Sequence, residues 1–241
     1  MEDRSPLRFA SACAVIGGLL SFGNLLHPRS ADTSMEATLR LAVDSPSWVA
    51  LHFVLFIGLL FVVAAVSAIA FVVATGPART FARFGMIAAM VGGALFLTSV
   101  ALDGIVDKHL ADAWASSTGA DRSVALRVAD AAGEINFALF SVGIFVLLGV
   151  APLLQGMALL RDARFSRWLP LLALVGGAGS LAVGTIQIFG GRSDIATNVL
   201  FPVFAFLLTI WLLGLGQALW RLSATSEDHA PGRAASVPAG K

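Results

Sequence analysis

Residues 48–74 read WVALHFVLFIGLLFVVAAVSAIAFVVA, a run that contains no Asp, Glu, Lys or Arg. An apolar stretch of about 18 residues or more without charge is typical of a helix that crosses a membrane. Five further charge-free windows meet the same criterion, and together the six predict helices near 9–26, 48–74, 84–102, 135–160, 168–189 and 197–220. The sequence therefore predicts an all-α integral membrane bundle of six transmembrane helices within residues 1–222.

The composition supports this class and excludes others. The 241 residues are 57% hydrophobic and 13% charged, with a mean hydropathy of +0.85, whereas soluble domains carry roughly 25% charged residues. Because Cys13 is the single cysteine, an internal disulfide is excluded. The net charge is +1, so the chain does not have the strongly basic surface that nucleic-acid binding requires. Residues 223–241 are rich in Ala, Pro, Gly and Ser, which predicts a disordered tail.

The basic residues are distributed unevenly between alternate loops of the predicted bundle. One side holds ten of the 16 Lys and Arg residues, and its short loops at 75–83 and 161–167 contain five of them. Short loops rich in Lys and Arg face the cytoplasm. We therefore expect a multi-pass protein of the bacterial plasma membrane with both termini in the cytoplasm.

Three segments of the chain share one pattern, in which an Arg-aromatic pair precedes a Gly-Gly pair. The Gly-Gly pairs are Gly17-Gly18, Gly92-Gly93 and Gly176-Gly177, and the spacing from the Arg to the first Gly is nine residues each time. This regularity predicts three tandem helical hairpins related by an internal repeat. The two longest loops, which include 32–44 and 103–134, predict short amphipathic helices on the outer surface.

Polar residues gather at the outer end of the predicted helices. Polar side chains at membrane depth are costly and are candidate functional residues for that reason. The repeat places seven of them near one outer vestibule, as a tentative ligand-binding set: His27, His52, Asp103, Glu134, Asn136, Gln187 and Asn198. The same side chains can also serve helix packing or interfacial solvation, and this alternative stays open.

The imidazoles and carboxylates of this set suit a metal. His27, His52 and His109 are the candidate metal ligands, because imidazole and carboxylate groups bind divalent transition metals. A haem held between His27 and His52 is a second possibility. The sequence has no HExxH, CxxCH or nucleophile-elbow motif, so no catalytic residue is assigned.

Residues 23–28 (GNLLHP), followed by Trp48 and His52 in the pattern WxxxH, resemble small multi-pass bacterial membrane proteins of about six helices. The resemblance is carried mainly by the first hairpin. These proteins have no assigned function, so the resemblance implies a multi-pass membrane protein and no mechanism.

The residues taken together favour a non-enzymatic membrane protein whose outer vestibule binds a small ligand or metal. It would transfer that ligand across the bilayer or present it to a protein partner. Two alternatives remain at this point. One is a structural or accessory subunit of a membrane complex that packs through its glycine-rich faces. The other is a membrane-embedded, metal-dependent hydrolase.

Overall fold

The computed structural model describes residues 5–23, 27–28, 34–73 and 76–225. Within these ranges the chain forms seven helices and no strand. The helices are α1 (Ser5–Ser21), α2 (Met35–Asp44), α3 (Trp48–Val72), α4 (Gly76–Ser116), α5 (Gly119–Leu159), α6 (Trp168–Gly190) and α7 (Ile195–Ala224). Residues 24–26 of the predicted first window, 9–26, lie outside the described ranges, and so do residues 226–241 of the predicted tail, 223–241.

Five of the helices, α3 to α7 in chain order, are long and apolar enough to cross a membrane. The all-helical class and the membrane character predicted from the sequence are therefore confirmed. Helix α1 is also apolar but has 17 residues. Many large apolar side chains on these helices point outward and are exposed, for example Phe71 and Phe189 at 78% and 84%. Such an exterior suits lipid and would be unfavourable in water.

Two helices are much longer than the charge-free windows predicted. Helices α4 and α5 each contain 41 residues, a length of about 60 Å at 1.5 Å per residue, against about 30 Å for the hydrocarbon core. The windows end at the first charged residues, near 102 and 135, but the chain there is rich in Ala and continues as helix. Only Ser117 and Thr118 separate the two helices.

The parts of α4 and α5 beyond these charges pack with α2 into a compact layer, which we call the cap. Its small hydrophobic core consists of Leu39, Ala42, Trp48, Ala111, Trp114 and Ala129. The Arg122 guanidinium lies 3.9 Å from the centre of the Trp114 ring. The Ser34 hydroxyl begins α2 by accepting a hydrogen bond from the backbone N–H of Ala37. The segments predicted as separate surface helices thus pack on one another over their apolar faces.

The six longer elements form a closed ring. Each of α1, α3, α4, α5 and α6 contacts the next of these helices, and α7 contacts both α6 and α1. The first glycine of each pair faces the next helix of the ring: Gly17 lies against Val62, Gly92 against Leu147 and Gly176 against Leu208. The second glycine faces the preceding helix: Gly18 lies against Leu213, Gly93 against Val63 and Gly177 against Leu153. A Cβ at these positions would force adjacent helices apart, so the glycines allow the ring to close.

A buried amide joins three helices on the side away from the cap. Gln155 of α5 is fully buried, and its Nε2 donates hydrogen bonds to the carbonyl oxygens of Val66 (3.0 Å) and Ala82 (3.2 Å). These oxygens belong to α3 and α4. The side chain of Gln155 therefore fixes the position of three neighbouring helices relative to one another.

Replacing Gln155 with alanine is expected to destabilise the bundle by about 2 kcal/mol. Two intramembrane hydrogen bonds contribute about 0.6 kcal/mol each on average, and a cavity term adds to their loss. Thermal unfolding in detergent would measure the effect. Gln217→Ala is the matched control, because Gln217 is also a glutamine on a long apolar helix, α7, but is exposed. Equal stability of the two variants would contradict this role for Gln155.

Candidate metal site

Three potential metal ligands meet at the cap end of the ring. His27 Nε2 lies 3.0 Å from His52 Nε2, and Asp103 Oδ2 lies 3.2 Å from His52 Nε2 and 3.7 Å from His27 Nε2. The centre of the triangle that these three atoms form lies about 1.9 Å from each of them. Zinc–nitrogen and zinc–oxygen bonds are of similar length, about 2.0–2.1 Å. Among the described residues, this is the group of His, Cys, Asp and Glu side chains that converges closely enough to hold an ion.

Both imidazoles are oriented by backbone carbonyls. His27 Nδ1 lies 2.7 Å from the carbonyl oxygen of Pro28, and His52 Nδ1 lies 2.7 Å from that of Trp48. A carbonyl oxygen can only accept a hydrogen bond, so each Nδ1 carries a proton and donates it. In the neutral imidazole the other nitrogen, Nε2, then has a free lone pair. The two lone pairs that the site needs for a cation therefore point toward each other.

Asp103 is presented by an irregular turn of α4. Residues Leu102–Val106 form a π-helical segment, a feature that occurs often at functional sites. The indole Nε1 of Trp48 donates a 2.8 Å hydrogen bond to the Asp103 carbonyl oxygen, which ties this segment to α3. Gly104 then packs directly against the Cβ of His52, where a side chain would clash. The π-helical turn and the glycine together bring the carboxylate beside the histidines.

The site is sheltered but not closed. The His52 side chain is 3% exposed, whereas those of His27 and Asp103 are 20% and 34% exposed. Asp107, one turn further along α4, is also buried. The rings of His27 and Trp48 pack edge to face with their centres 5.3 Å apart, which holds His27 against the first turn of α3. A small molecule could therefore approach the three side chains from the side on which His27 and Asp103 are exposed, while His52 is held in the protein interior.

The cluster opens onto a cavity of about 890 Å³ inside the ring. His27, His52 and Asp103 line one end of it, and Trp211 and Leu212 of α7 lie toward the other. Between them the walls are mostly aliphatic and aromatic side chains of α3, α4, α5 and α7. The cavity therefore extends well beyond the three side chains at its end.

The other predicted ligand residues lie apart from the cluster. Asn136 accepts a 2.5 Å hydrogen bond from the Ser99 hydroxyl, and Gln187 donates one to Thr197. Glu134 is exposed and pairs with Arg192 at 3.1 Å. Asn198 lines the cavity on the α7 side. These contacts fit helix-to-helix packing around the ring.

His109 does not join the two other histidines. It is exposed on the surface of the cap and is absent from the converging group. Its proximity to Asp103 in the sequence suggested a shared site, but the turn of the helix directs it elsewhere. Asp103 is the third member of the converging group in its place.

The pair of histidines does not accommodate a haem. Axial imidazoles bind on opposite faces of the haem iron, which places their nitrogens about 4 Å apart when each bond is about 2 Å long. Here the two Nε2 atoms are 3.0 Å apart. The macrocycle has no room between them, and a single small ion does.

Two residues that hold this site were not assigned to it from the sequence. Trp48 was noted in the sequence only as part of the WxxxH pattern, and Gly104 was not singled out. Their roles depend on a hydrogen bond and a close contact between α3 and α4. The residues that make these contacts are more than 50 positions apart in the chain. A Trp one helical turn before a His was the available signal, since it lies within the WxxxH pattern.

Comparison with known proteins adds a family but no activity. No curated protein and no solved structure matches the chain significantly. Residues 9–216 match the family described as a domain of unknown function (DUF4386), a match that includes all seven helices in whole or in large part. The chain therefore belongs to the DUF4386 family.

Proposed function

We propose that this protein is a multi-pass membrane protein that binds one divalent transition-metal ion through His27, His52 and Asp103. The observation that carries the proposal is the convergence of His27 Nε2, His52 Nε2 and Asp103 Oδ2, with separations of 3.0, 3.2 and 3.7 Å. Both histidines already donate through Nδ1 to backbone carbonyls. Such hydrogen bonds to the distal nitrogen are the usual support of a metal-binding imidazole.

The facing lone pairs require a cation. Two neutral imidazoles whose Nε2 atoms approach to 3.0 Å repel each other unless a positive charge lies between them. A proton or a metal ion could supply it. The metal accounts for all three groups at once, because a single point lies at bonding distance from both Nε2 atoms and from Asp103 Oδ2. Two imidazoles and one carboxylate form the ligand set of many zinc and iron(II) sites.

Three protein ligands leave a coordination position open, which distinguishes catalytic metal sites from structural ones. The open position would face the cavity. This observation favours metal-dependent hydrolysis as the second candidate function, with a metal-bound water as the nucleophile. Asp107 is the nearest buried carboxylate on α4 that could assist as a base. Loss of hydrolysis in Asp107→Asn with full metal content would support this second candidate.

Metal analysis of the purified protein tests the first proposal. The protein would be extracted from membranes without chelator and its metals measured by mass spectrometry. We expect about one equivalent of a single divalent metal per chain, as a three-ligand site holds one ion. A metal content below about a tenth of an equivalent, unchanged after incubation with zinc or iron(II), would overturn the proposal.

The hydrogen bond between Trp48 and the Asp103 carbonyl provides a second test of the metal site. Trp48→Phe keeps an aromatic ring beside the histidines but removes the 2.8 Å hydrogen bond to the Asp103 carbonyl. Loss of such a supporting contact typically lowers metal affinity by about 10–100-fold, and we expect the lower end of that range. Competition with a metal-chelating dye would measure it. An affinity equal to that of the wild type would show that this hydrogen bond does not position Asp103.

The same proposal includes a membrane arrangement of six spans in three repeated hairpins, with both termini in the cytoplasm of a bacterium. The glycine contacts support the repeat, since the first and second glycines of all three pairs face equivalent neighbours around the ring. Helix α1 supplies the sixth span, and ten of the 16 basic residues lie on the side away from the cap. The metal site would then face the extracytoplasmic side of the plasma membrane.

Cysteine labelling tests this orientation. In a Cys13→Ala background, we expect Ser117→Cys at the tip of the cap to react with an impermeant maleimide in intact cells. Ala163→Cys, on the arginine-rich loop, should react only after the membrane is opened. Labelling of the two positions in the reverse order would contradict the orientation.

A further inference from the structure

The cavity beneath the proposed metal site is deep, and its lining residues suggest its occupant. On α3 it is lined by His52, Leu55, Leu59, Val62 and Val66, which are spaced three or four residues apart and share one helix face. On α7 it is lined from Asn198 to Leu212. Each of these stretches spans 14 residues, a depth of about 21 Å.

The lining is polar at one end and apolar along most of its length. At the cap end lie His27, His52, Asp103, Ser99 and Thr197. Below them the walls consist mainly of Leu, Val and Phe side chains, and the hydroxyl of Thr209 already donates to a backbone carbonyl. Water gains few hydrogen bonds in such a space, and apolar cavities of this kind bind apolar ligands instead. An aliphatic chain matches the shape and the chemistry of these walls.

The cavity is large enough for one long aliphatic chain. Its volume of about 890 Å³ lies in the range of sites that hold one small ligand. Side chains of α3, α4, α5 and α7 line it, so a chain in this space contacts apolar side chains along its length.

The charges at the mouth determine the head group. Asp103 and Asp194 line this end and are negative, while Arg192 is positive. Arg192 is paired with Glu134 at 3.1 Å, so the charge of a bound divalent ion offsets the two aspartates. The ion itself is then the positive centre of this end, and its open coordination position accepts an oxygen ligand. An anionic oxygen head group, a carboxylate or a phosphate, satisfies both conditions. A cationic head group satisfies neither.

From these observations we infer that the cavity binds an amphiphile with one long aliphatic chain, whose anionic head group coordinates the metal at His27, His52 and Asp103. The inference rests on the proposed metal site and adds the class of ligand. The chain extends from the metal between α3 and α7 toward Trp211. A ligand of this class reaches the site from the surrounding bilayer, in which it is soluble.

The experiment measures binding of palmitate, hexadecyl phosphate, octanoate and hexadecyltrimethylammonium to metal-loaded protein in lipid nanodiscs. We expect palmitate or hexadecyl phosphate to bind at least about tenfold more tightly than octanoate, because the short chain leaves most of the apolar wall uncovered. Whichever of the two binds more tightly identifies the head group. The cationic amphiphile, which has the same chain length, is expected to bind at least about tenfold more weakly as well.

A matched pair of substitutions locates the chain. Leu59 lines the cavity, whereas its neighbour Leu60 is 43% exposed on the outer face of α3. Leu59→Trp should fill the cavity and weaken palmitate binding at least about tenfold, with the metal content unchanged. Leu60→Trp should leave both unchanged. The unaltered metal content of Leu59→Trp shows that the variant is folded around the site.

The inference is overturned if octanoate binds as tightly as palmitate, or if metal-loaded Leu59→Trp binds palmitate like the wild type. The comparison of chain lengths uses the wild-type protein alone, so it holds even if the tryptophan variant does not fold. A wild-type protein that holds no metal would contradict the proposed function separately. The metal content of each preparation therefore distinguishes the two failures.

Discussion

Replacing His52 with alanine is expected to reduce the bound metal to below about a tenth of an equivalent per chain. His52 supplies one of two imidazole ligands and is the most buried member of the site, with 3% of its side chain exposed. Loss of a supporting contact alone costs about 10–100-fold in metal affinity, and loss of a direct ligand should cost more. Metal analysis of the purified variant, after dialysis against a weak chelator, measures the effect.

His109→Ala is the matched control for this substitution. It also removes an imidazole from the cap side of the chain, but His109 is exposed and lies outside the converging group. Its metal content should equal that of the wild type. If His52→Ala keeps its metal while His109→Ala loses it, the assignment of ligands made here is wrong.

Replacing Gly104 with alanine is the second substitution with a large expected effect, although it adds only one methyl group and removes no ligand. The new Cβ would overlap the Cβ of His52, so α3 and the π-helical turn of α4 must separate or the imidazole must rotate. Either response disturbs the triangle of ligand atoms. We expect metal affinity to fall by at least about 100-fold, the upper end of the effect of supporting contacts, and stability to fall by about 1–3 kcal/mol.

Gly190→Ala controls for the general effect of adding a methyl group to a helical glycine. A Cβ at Gly190 has no neighbour within 4 Å, and the residue is not in a left-handed conformation. Metal affinity and thermal stability should both remain at wild-type values, since alanine is the better helix former. Equal metal affinity of the two alanine variants would show that the close contact between Gly104 and His52 does not shape the site.

The helical class and the membrane character could be predicted from the sequence because charge-free windows report directly on burial in lipid. The ends of α4 and α5 could not. Hydropathy marks where a helix leaves the bilayer. Helix α4 continues beyond Asp103, and helix α5 begins well before Glu134, because alanine-rich segments favour helix in water as well. The cap that results is held by contacts between α2, α4 and α5, which depend on long-range packing.

The candidate site was predicted in part for a similar reason. Helical spacing and the repeat placed seven polar residues at one depth, but depth does not specify position around a ring. His27, His52 and Asp103 meet because α3 and α4 are adjacent, whereas Gln187 lies on α6 and contacts Thr197 instead. The π-helical turn that presents Asp103 has no signature in a single sequence. Its effect on side-chain direction is visible only in three dimensions.

X-ray absorption spectroscopy at the edge of the bound metal tests the central claim most directly. The account predicts two imidazole nitrogens and at least one carboxylate oxygen in the first coordination sphere, at about 2.0–2.1 Å. In any His52→Ala protein that is forced to bind metal by excess zinc, the imidazole signal should fall by half. A wild-type spectrum without imidazole scattering, or with the thiolate of Cys13 as a ligand, would contradict a metal site built from His27, His52 and Asp103.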